Sequence, residues 1–216
     1  MKTVYFVRHG ESENNAARRY NSFDTPLSSK GIEQAHTIAE RCAKLPIELI
    51  YASTMPRSRQ TAEIIARKVP VALEESGHFK ERITASRILG KDRHDPEVKA
   101  IVEQNWEHFH DPKWRFEDGE NFQDLKDRAL AGLELLASRP EQHILVVSHG
   151  FFTLIIAATV IFGNDLSSQE CAHIIGGLDD LENTAISIIK QHTKVRRFSG
   201  RSQWLLRVWN DHAHLG

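Results

Sequence analysis

Two cysteines, Cys42 and Cys171, are all that 216 residues contain, and they fall in no disulfide-framework or metal-ligand spacing. That scarcity weighs against a disulfide-stapled secreted module. It fits a reducing, cytoplasmic setting with two buried, inert thiols. An excess of one charge is also missing: 28 Lys and Arg stand against 29 Asp and Glu, a formal net charge of −1. Neither nucleic acid nor a membrane surface is an expected partner for such a chain, so any basic site must be local. There is no internal repeat, no low-complexity tract and no Pro/Gly/Ser linker, so a single domain over residues 1–216 is expected. Met1-Lys2-Thr3 runs straight into a short apolar stretch, without a secretory pattern. Residues 144–162 carry no Lys, Arg, Asp or Glu and approach membrane length, but Ser148-His149-Gly150 interrupts them. A buried strand, a turn and a buried helix are expected there, not a membrane span.

What is present alternates. At 40% hydrophobic and 26% charged residues, the composition is that of a soluble globular protein. Strands are expected at 4–7, 48–52, 71–73, 144–147, 184–189 and 204–209. Helices are expected at 31–45, 58–68, 97–108, 122–138 and 151–162. The first helix carries Ile32, Ala35, Ile38, Ala39 and Cys42 at helical spacing, and Pro96 suits the start of the third. Strands alternating with helices predict an α/β fold: a three-layer α/β/α sandwich on a mostly parallel central sheet. Residues from about 75 to 121 are irregular and rich in charge and aromatics (Phe79, Trp106, Phe109, Trp114, Phe116), as in an insertion that covers a site or a surface excursion.

Chemistry concentrates at two matched points. Val4-Tyr5-Phe6-Val7 ends at Arg8-His9-Gly10-Glu11-Ser12, and the apolar run 144–147 ends at Ser148-His149-Gly150. Two strands that each stop at His-Gly can set two imidazoles side by side at the carboxyl edge of a sheet, where open α/β sheets bind ligands. A helix starting near Phe151 would aim backbone N–H groups at an anion there. Arg8 can clamp phosphoryl oxygens, and a neutral imidazole can attack phosphorus. A third segment, Ser53-Thr54-Met55-Pro56-Arg57, follows a strand and opens a helix, with Ser53 or Thr54 as its expected cap. A cation in a first helical turn opposes the helix dipole, so Arg57 makes sense facing a bound anion, with Arg59 pointing elsewhere.

The ordered set Arg8-His9-Gly10-Glu11-Ser12, Asn15, Asp24-Thr25-Pro26-Leu27, Gly31, Ser53 with Arg57, Gly119-Glu120 with Arg128, Ser148-His149-Gly150 and Asn183-Thr184 resembles the histidine phosphatase superfamily. That family includes cofactor-dependent phosphoglycerate mutases and broad-range phosphatases, and the resemblance spans nearly the whole chain. It implies a phosphoglycerate mutase-like fold and a phosphatase that hydrolyses a phosphomonoester through phosphohistidine on His9, without metal or cofactor. Arg8, Asn15, Arg57, His149 and Gly150 would bind phosphate, with His149 possessing an imidazolium's capacity to donate. The family's proton-donating carboxylic acid maps to Glu81 in Phe79-Lys80-Glu81-Arg82, with Glu75 the alternative. The family's commonest Gly-aromatic-Glu-Gly cluster after the acid is replaced by Ile83-Thr84-Ala85-Ser86. A small phosphorylated substrate and inorganic phosphate are the implied partners, and Asn21, Ser22 and Phe23 the implied pocket wall. A phosphoglycerate mutase and a non-catalytic phospho-ligand binder stay open as alternatives.

Other signals are bland. His108 with His110 and His212 with His214 form HxH pairs without a third ligand at metal spacing. Lys194, Val195, Arg196, Arg197 and Arg201 form a basic cluster expected in the connection between the last two strands.

Overall fold

The computed structural model describes residues 1–191 and 203–216; the basic cluster at 194–197 and 201 lies outside the described residues. The chain runs β1 (Thr3–Arg8), α1 (Glu13–Ala16), α2 (Ser29–Cys42), β2 (Leu49–Ser53), α3 (Pro56–Ala66), β3 (Ala72–Ser76), α4 (Pro96–Glu107), α5 (Phe122–Ser138), β4 (His143–Ser148), α6 (Gly150–Phe162), α7 (Ser168–Gly177), β5 (Ile186–Gln191) and β6 (Trp204–Asp211). The six strands form one sheet in the order β3-β2-β4-β1-β5-β6. The first four are mutually parallel, while β5 pairs antiparallel with both β1 and β6.

Alternation along the buried strands builds the two faces. Val4, Phe6, Leu49, Tyr51, Ile144 and Val146 pack with α5, α6 and α7, whereas Tyr5, Val7, Ile50, Ala52, Leu145 and Val147 pack with α2 and α3. Each large apolar side chain removed from water contributes roughly 1.5–3 kcal/mol, so the centre of the sheet is the rigid part of the molecule. Lys2, 3% exposed, closes the back: its ammonium donates to the Leu136, Ala137 and Arg139 carbonyls at the end of α5. Cys42 and Cys171 are buried and unpaired, and burial pushes both thiols up to about 12. Among the described residues, no helix is long and apolar enough to cross a membrane.

Three expectations change. Helix α7 was not anticipated: Ser168 and Cys171 are its only fully buried residues, its apolar face is the short set Cys171, Ile174 and Ile175, and it ends in two glycines. Neither Ser53 nor Thr54 caps α3; the cap position is Met55, without a side-chain bond, because the Ser53 hydroxyl is turned into the site. The last-but-one strand starts at Ile186, not at 184, because Thr184 takes a φ of 62°. Of the aromatics in the irregular stretch, Phe79 is core. Trp106 packs on Phe109 and Phe151, and Phe116 joins a small cluster with Ile88, Val98 and Ile101.

Candidate active site

Strands β1 and β4 lie side by side in a register that sets Arg8 opposite Ser148. The next residue on each is a histidine. The His9 amide donates to the Ser148 carbonyl at 3.0 Å, and the two rings meet edge to face with centroids 4.9 Å apart. Strand β2, on the far side of β4, delivers Ser53, whose Oγ lies 2.8 Å from His149 Nε2. Helix α3 then turns Arg57 back under the same point. Close backbone approach shapes the turn after His9: a Cβ at Gly10 would stand 2.3 Å from the Gly31 carbonyl, and one at Gly31 would stand 1.9 Å from that of Glu11. Only glycines let the start of α2 seat against this turn.

Hydrogen bonds fix the chemistry of His9. Its Nδ1 lies 2.7 Å from the Gly10 carbonyl, which can only accept, so Nδ1 carries the proton. The lone pair is therefore on Nε2, where Arg57 Nε donates to it at 3.2 Å. Burial, then the Arg57 and Arg8 charges, hold the His9 pKa well below the ordinary histidine value, which keeps the free base. Arg57 is 1% exposed, and its other nitrogens reach Ser22 O at 3.2 Å and Met55 Sδ at 3.1 Å. Burial pulls it down to about 10, against the opposing pull of Glu81, so it is a cation at neutral pH.

His149 is fully buried behind His9. Burial, then Arg57, His9 and Arg8, depress its pKa well below the usual value. The imidazolium expected from sequence is therefore disfavoured. Ser53 Oγ accepts from the Met55 amide at 3.3 Å, so its own proton can go to His149 Nε2, leaving Nδ1–H as the donor. That His149 Nδ1 and the Nε of Arg8 are buried with no hydrogen-bond partner among the described residues. Arg8 is anchored through Nη1 to the Leu181 carbonyl. Two buried donors without acceptors, beside a guanidinium and a neutral imidazole, suit an anion.

These groups underlie a cavity of about 470 Å³ whose wall includes Arg8, His9, Asn15, Asn21, Ser22, Phe23, Arg57, Glu81 and Gly150. In the capping box of α1 the Ser12 amide donates to Asn15 Oδ1 at 3.4 Å and the Asn15 amide to Ser12 Oγ at 3.2 Å, while the Ser12 hydroxyl donates to Asn21 Oδ1 at 2.7 Å. Ser22 bonds Thr25, and Phe23 stands exposed at the mouth. A Cβ at Gly150 would stand 3.5 Å from Arg8 Nε, an ordinary van der Waals contact, so Gly150 and the Arg8 guanidinium are neighbours on this wall.

The carboxylate of Glu81 lies at the start of α6. It accepts from Phe152 N at 2.9 Å, Phe151 N at 3.3 Å and Arg82 N at 2.8 Å. The helix N–H groups expected to meet a ligand thus meet the chain's own carboxylate, which the positive end of α6 holds at the cavity wall. Glu75 lies elsewhere: on edge strand β3, 41% exposed and 3.8 Å from Arg59, outside the cavity wall.

Sequence reasoning places Glu120, Arg128, Asn183 and Thr184 in the family pattern but gives them no role; the structure shows what they hold. Arg128 donates to the Lys80 carbonyl at 2.6 Å and to those of His78 and Glu81, while a bidentate pair with Glu120 and the face of Phe152 hold its guanidinium. Glu120 also accepts from Ile83 N at 2.8 Å. One ion pair therefore fixes the backbone on both sides of Glu81. Behind the turn after β1, Asn183 Nδ2 donates to the His9 carbonyl at 2.9 Å, and the Thr184 amide to that of Arg8 at 3.0 Å. The side chains of His108 and His110 bond the carbonyls of Gln104 and Glu107, while His214 reaches Thr184 and Arg41.

The chain is similar to known proteins. The sequence pattern described as histidine phosphatase superfamily (branch 1) matches residues 4–203. Relatives from Shigella boydii and Escherichia coli, each called probable phosphoglycerate mutase GpmB, are 34% identical over 220 residues, covering 100% of this chain and 95% of theirs. Among solved structures, Bacillus stearothermophilus YhfR gives a TM-score of 0.81 at 25% identity over 100% of both chains. A mycobacterial glucosyl-3-phosphoglycerate phosphatase complexed with VO3 gives 0.79 at 22% identity, over 98% of this chain and 100% of the other, a likeness of fold. By its matched length and its relatives, the chain belongs to the histidine phosphatase superfamily, branch 1.

Proposed function

We propose that the chain hydrolyses a small phosphomonoester without a metal, through a phosphohistidine on His9. The observation that carries this reading is the tautomer: Nδ1–H is committed to Gly10 O, which leaves a buried, unprotonated Nε2 facing two guanidinium groups. When a phosphoryl group enters, Arg57 Nε transfers its bond from the His9 lone pair to a phosphoryl oxygen. Arg8 and His149 Nδ1–H take further oxygens, spreading charge that a phosphoryl transfer concentrates there. Nε2 attacks phosphorus and the bond to the ester oxygen breaks; Glu81, having taken the proton of the phosphomonoester monoanion as it binds, passes that proton to the leaving oxygen. The Gly10 carbonyl stabilises the positive imidazole ring so formed. Water then attacks phosphorus, Glu81 takes back a proton, and inorganic phosphate leaves with His9 restored.

The name of the 34%-identical relatives supports a second reading, phosphoglycerate mutase, in which a bound glycerate phosphate replaces water as acceptor. The test is phosphate release from para-nitrophenyl phosphate with a chelator present, comparing wild type with His9→Ala. Turnover only in wild type is expected. Turnover lost to the chelator, or retained in His9→Ala, overturns the proposal. Transfer to glycerate phosphate in place of release selects the mutase, and phosphate binding without any turnover selects a non-catalytic binder.

A further inference from the structure

Arg8 reaches the cavity from the end of β1, and the acceptor that anchors its Nη1 is the carbonyl of buried Leu181. Leu181 stands in the connection between α7, which ends at Gly177, and β5, which begins at Ile186. That connection belongs to no helix or strand, so no backbone ladder of its own holds the carbonyl still.

The last strand supplies the hold. Asn210 Nδ2 donates to the Asp180 carbonyl at 3.0 Å, and Asn210 Oδ1 accepts from the Glu182 amide at 2.8 Å. One carboxamide thus grips the residue on each side of Leu181. Next to it, Trp209 Nε1 donates to the Asp179 carbonyl at 3.0 Å. The pairing of β6 with β5 is shaped to deliver this grip. Val208 stands opposite Ile188 and Asp211 opposite Ile186, so Trp209 and Asn210 together face Ser187. A bulge of this kind turns a side chain out of the strand's alternation. Asn210 takes a φ of 52° there, a left-handed conformation that asparagine tolerates better than most residues, and its amide donates to Ser187 Oγ at 3.1 Å. The neighbours in the gripped segment, Asp179, Asp180 and Glu182, are acidic. A neutral group with one donating and one accepting end fits between them where a carboxylate, which only accepts, does not.

Resting on the phosphomonoesterase reading, in which Arg8 takes a phosphoryl oxygen, we propose that Asn210 is a positioning residue of the active site: its carboxamide fixes the Leu181 carbonyl, and through it the direction in which the Arg8 guanidinium faces the phosphoryl group. The Arg8 Nε is buried without a partner, so any swing of the guanidinium moves the donor that an anion would meet. A displacement of about 1 Å from a change far from the chemistry can cost on the order of 10²-fold in rate.

Two variants remove the grip by different means. Asn210→Gly keeps the left-handed backbone and deletes the carboxamide. Asn210→Asp keeps the side chain's size but sets an oxygen against the Asp180 carbonyl. The direct readout is the Arg8 Nε–H signal in a proton–nitrogen correlation spectrum, assigned by its absence from Arg8→Lys. The Arg57 Nε–H signal, assigned in the same way with Arg57→Lys, is the internal reference. Both Asn210 variants are expected to shift or broaden the Arg8 signal and to leave that of Arg57 in place, which also shows that the floor of the site is folded. Their kcat/KM for a phosphomonoester should fall about tenfold or more, but by less than about twofold in an Arg8→Lys background. An unmoved Arg8 signal overturns the proposal, as does an undiminished loss of kcat/KM in the Arg8→Lys background. So does an equal disturbance of Arg8 and Arg57, or the unfolding of both variants, either of which would make Asn210 a general stabiliser. The spectrum needs no turnover: a wild type that neither binds nor hydrolyses a phosphomonoester counts against the phosphomonoesterase reading, while the Arg8 signal still tests the grip.

Discussion

The floor and the mouth of the cavity are built by different means. Arg57 and His149 are 1% and 0% exposed and sit where parallel strands end or where the next helix turns back, whereas Phe23 at the mouth is 53% exposed on a loop. The floor is over-determined: strand register, the Gly10–Gly31 approach and a chain of hydrogen bonds each specify where His9 lies. The mouth is made of two irregular segments tied to each other, with the Tyr20 amide bonded to Lys91 O and the Gly90 amide to Tyr20 O. Placing His9, Arg57 and His149 on rigid elements and the mouth on loops lets the wall vary without moving the proposed nucleophile. Glu81 joins the two regions, since it lies on the irregular segment but is held by α6 and, through its backbone, by Arg128.

The first way to break this comparison is at that junction. Glu81→Gln is expected to slow alkyl phosphates by about 10²–10⁴-fold, the range of general acid catalysis, and nitrophenyl phosphate far less, because its leaving group needs no proton. Equal slowing of both would reduce the irregular segment to a wall. Arg57→Ala tests the floor. A loss of about 2–4 kcal/mol in transition-state stabilisation is expected for every substrate, as for removal of an oxyanion donor; unchanged kinetics would take Arg57 out of the floor. Arg128→Ala should act only through the junction. A loss of about tenfold in kcat/KM for alkyl phosphates is expected, absent in a Glu81→Gln background, since two changes on one path are not additive. An undiminished effect in that background would make Arg128 a general stabiliser.

The smallest effect is thermodynamic. His9 has a folded-state pKa depressed below its unfolded value of about 6.5, so acid protonates the unfolded chain first and the residue's stability is complete only above that pH. Below it, denaturant titrations of wild type should lose stability relative to His9→Gln by up to about 1.4 kcal/mol per pH unit. A difference independent of pH would mean that His9 is protonated in the fold.

The same contrast decided what could be read from sequence. Apolar runs ending in His-Gly mark His9 and His149 because strand burial and glycine turns leave a compositional trace, and Arg57 is visible because a cation in a first helical turn defies the dipole. Arg128 and Ser53 act through backbone carbonyls and a ring nitrogen from distant segments, and such partners have no fixed spacing. The α7 helix is hard to read because its apolar face is one short set, Cys171, Ile174 and Ile175, ended by two glycines.

The most direct measurement is rapid acid-free quenching of wild type mixed with a phosphomonoester, followed by intact-mass and peptide mapping. The account predicts a transient, acid-labile phosphoryl adduct on Nε2 of His9, absent from His9→Ala. A phosphoryl group trapped on any other residue, or turnover with no adduct under conditions that slow its hydrolysis, would contradict it.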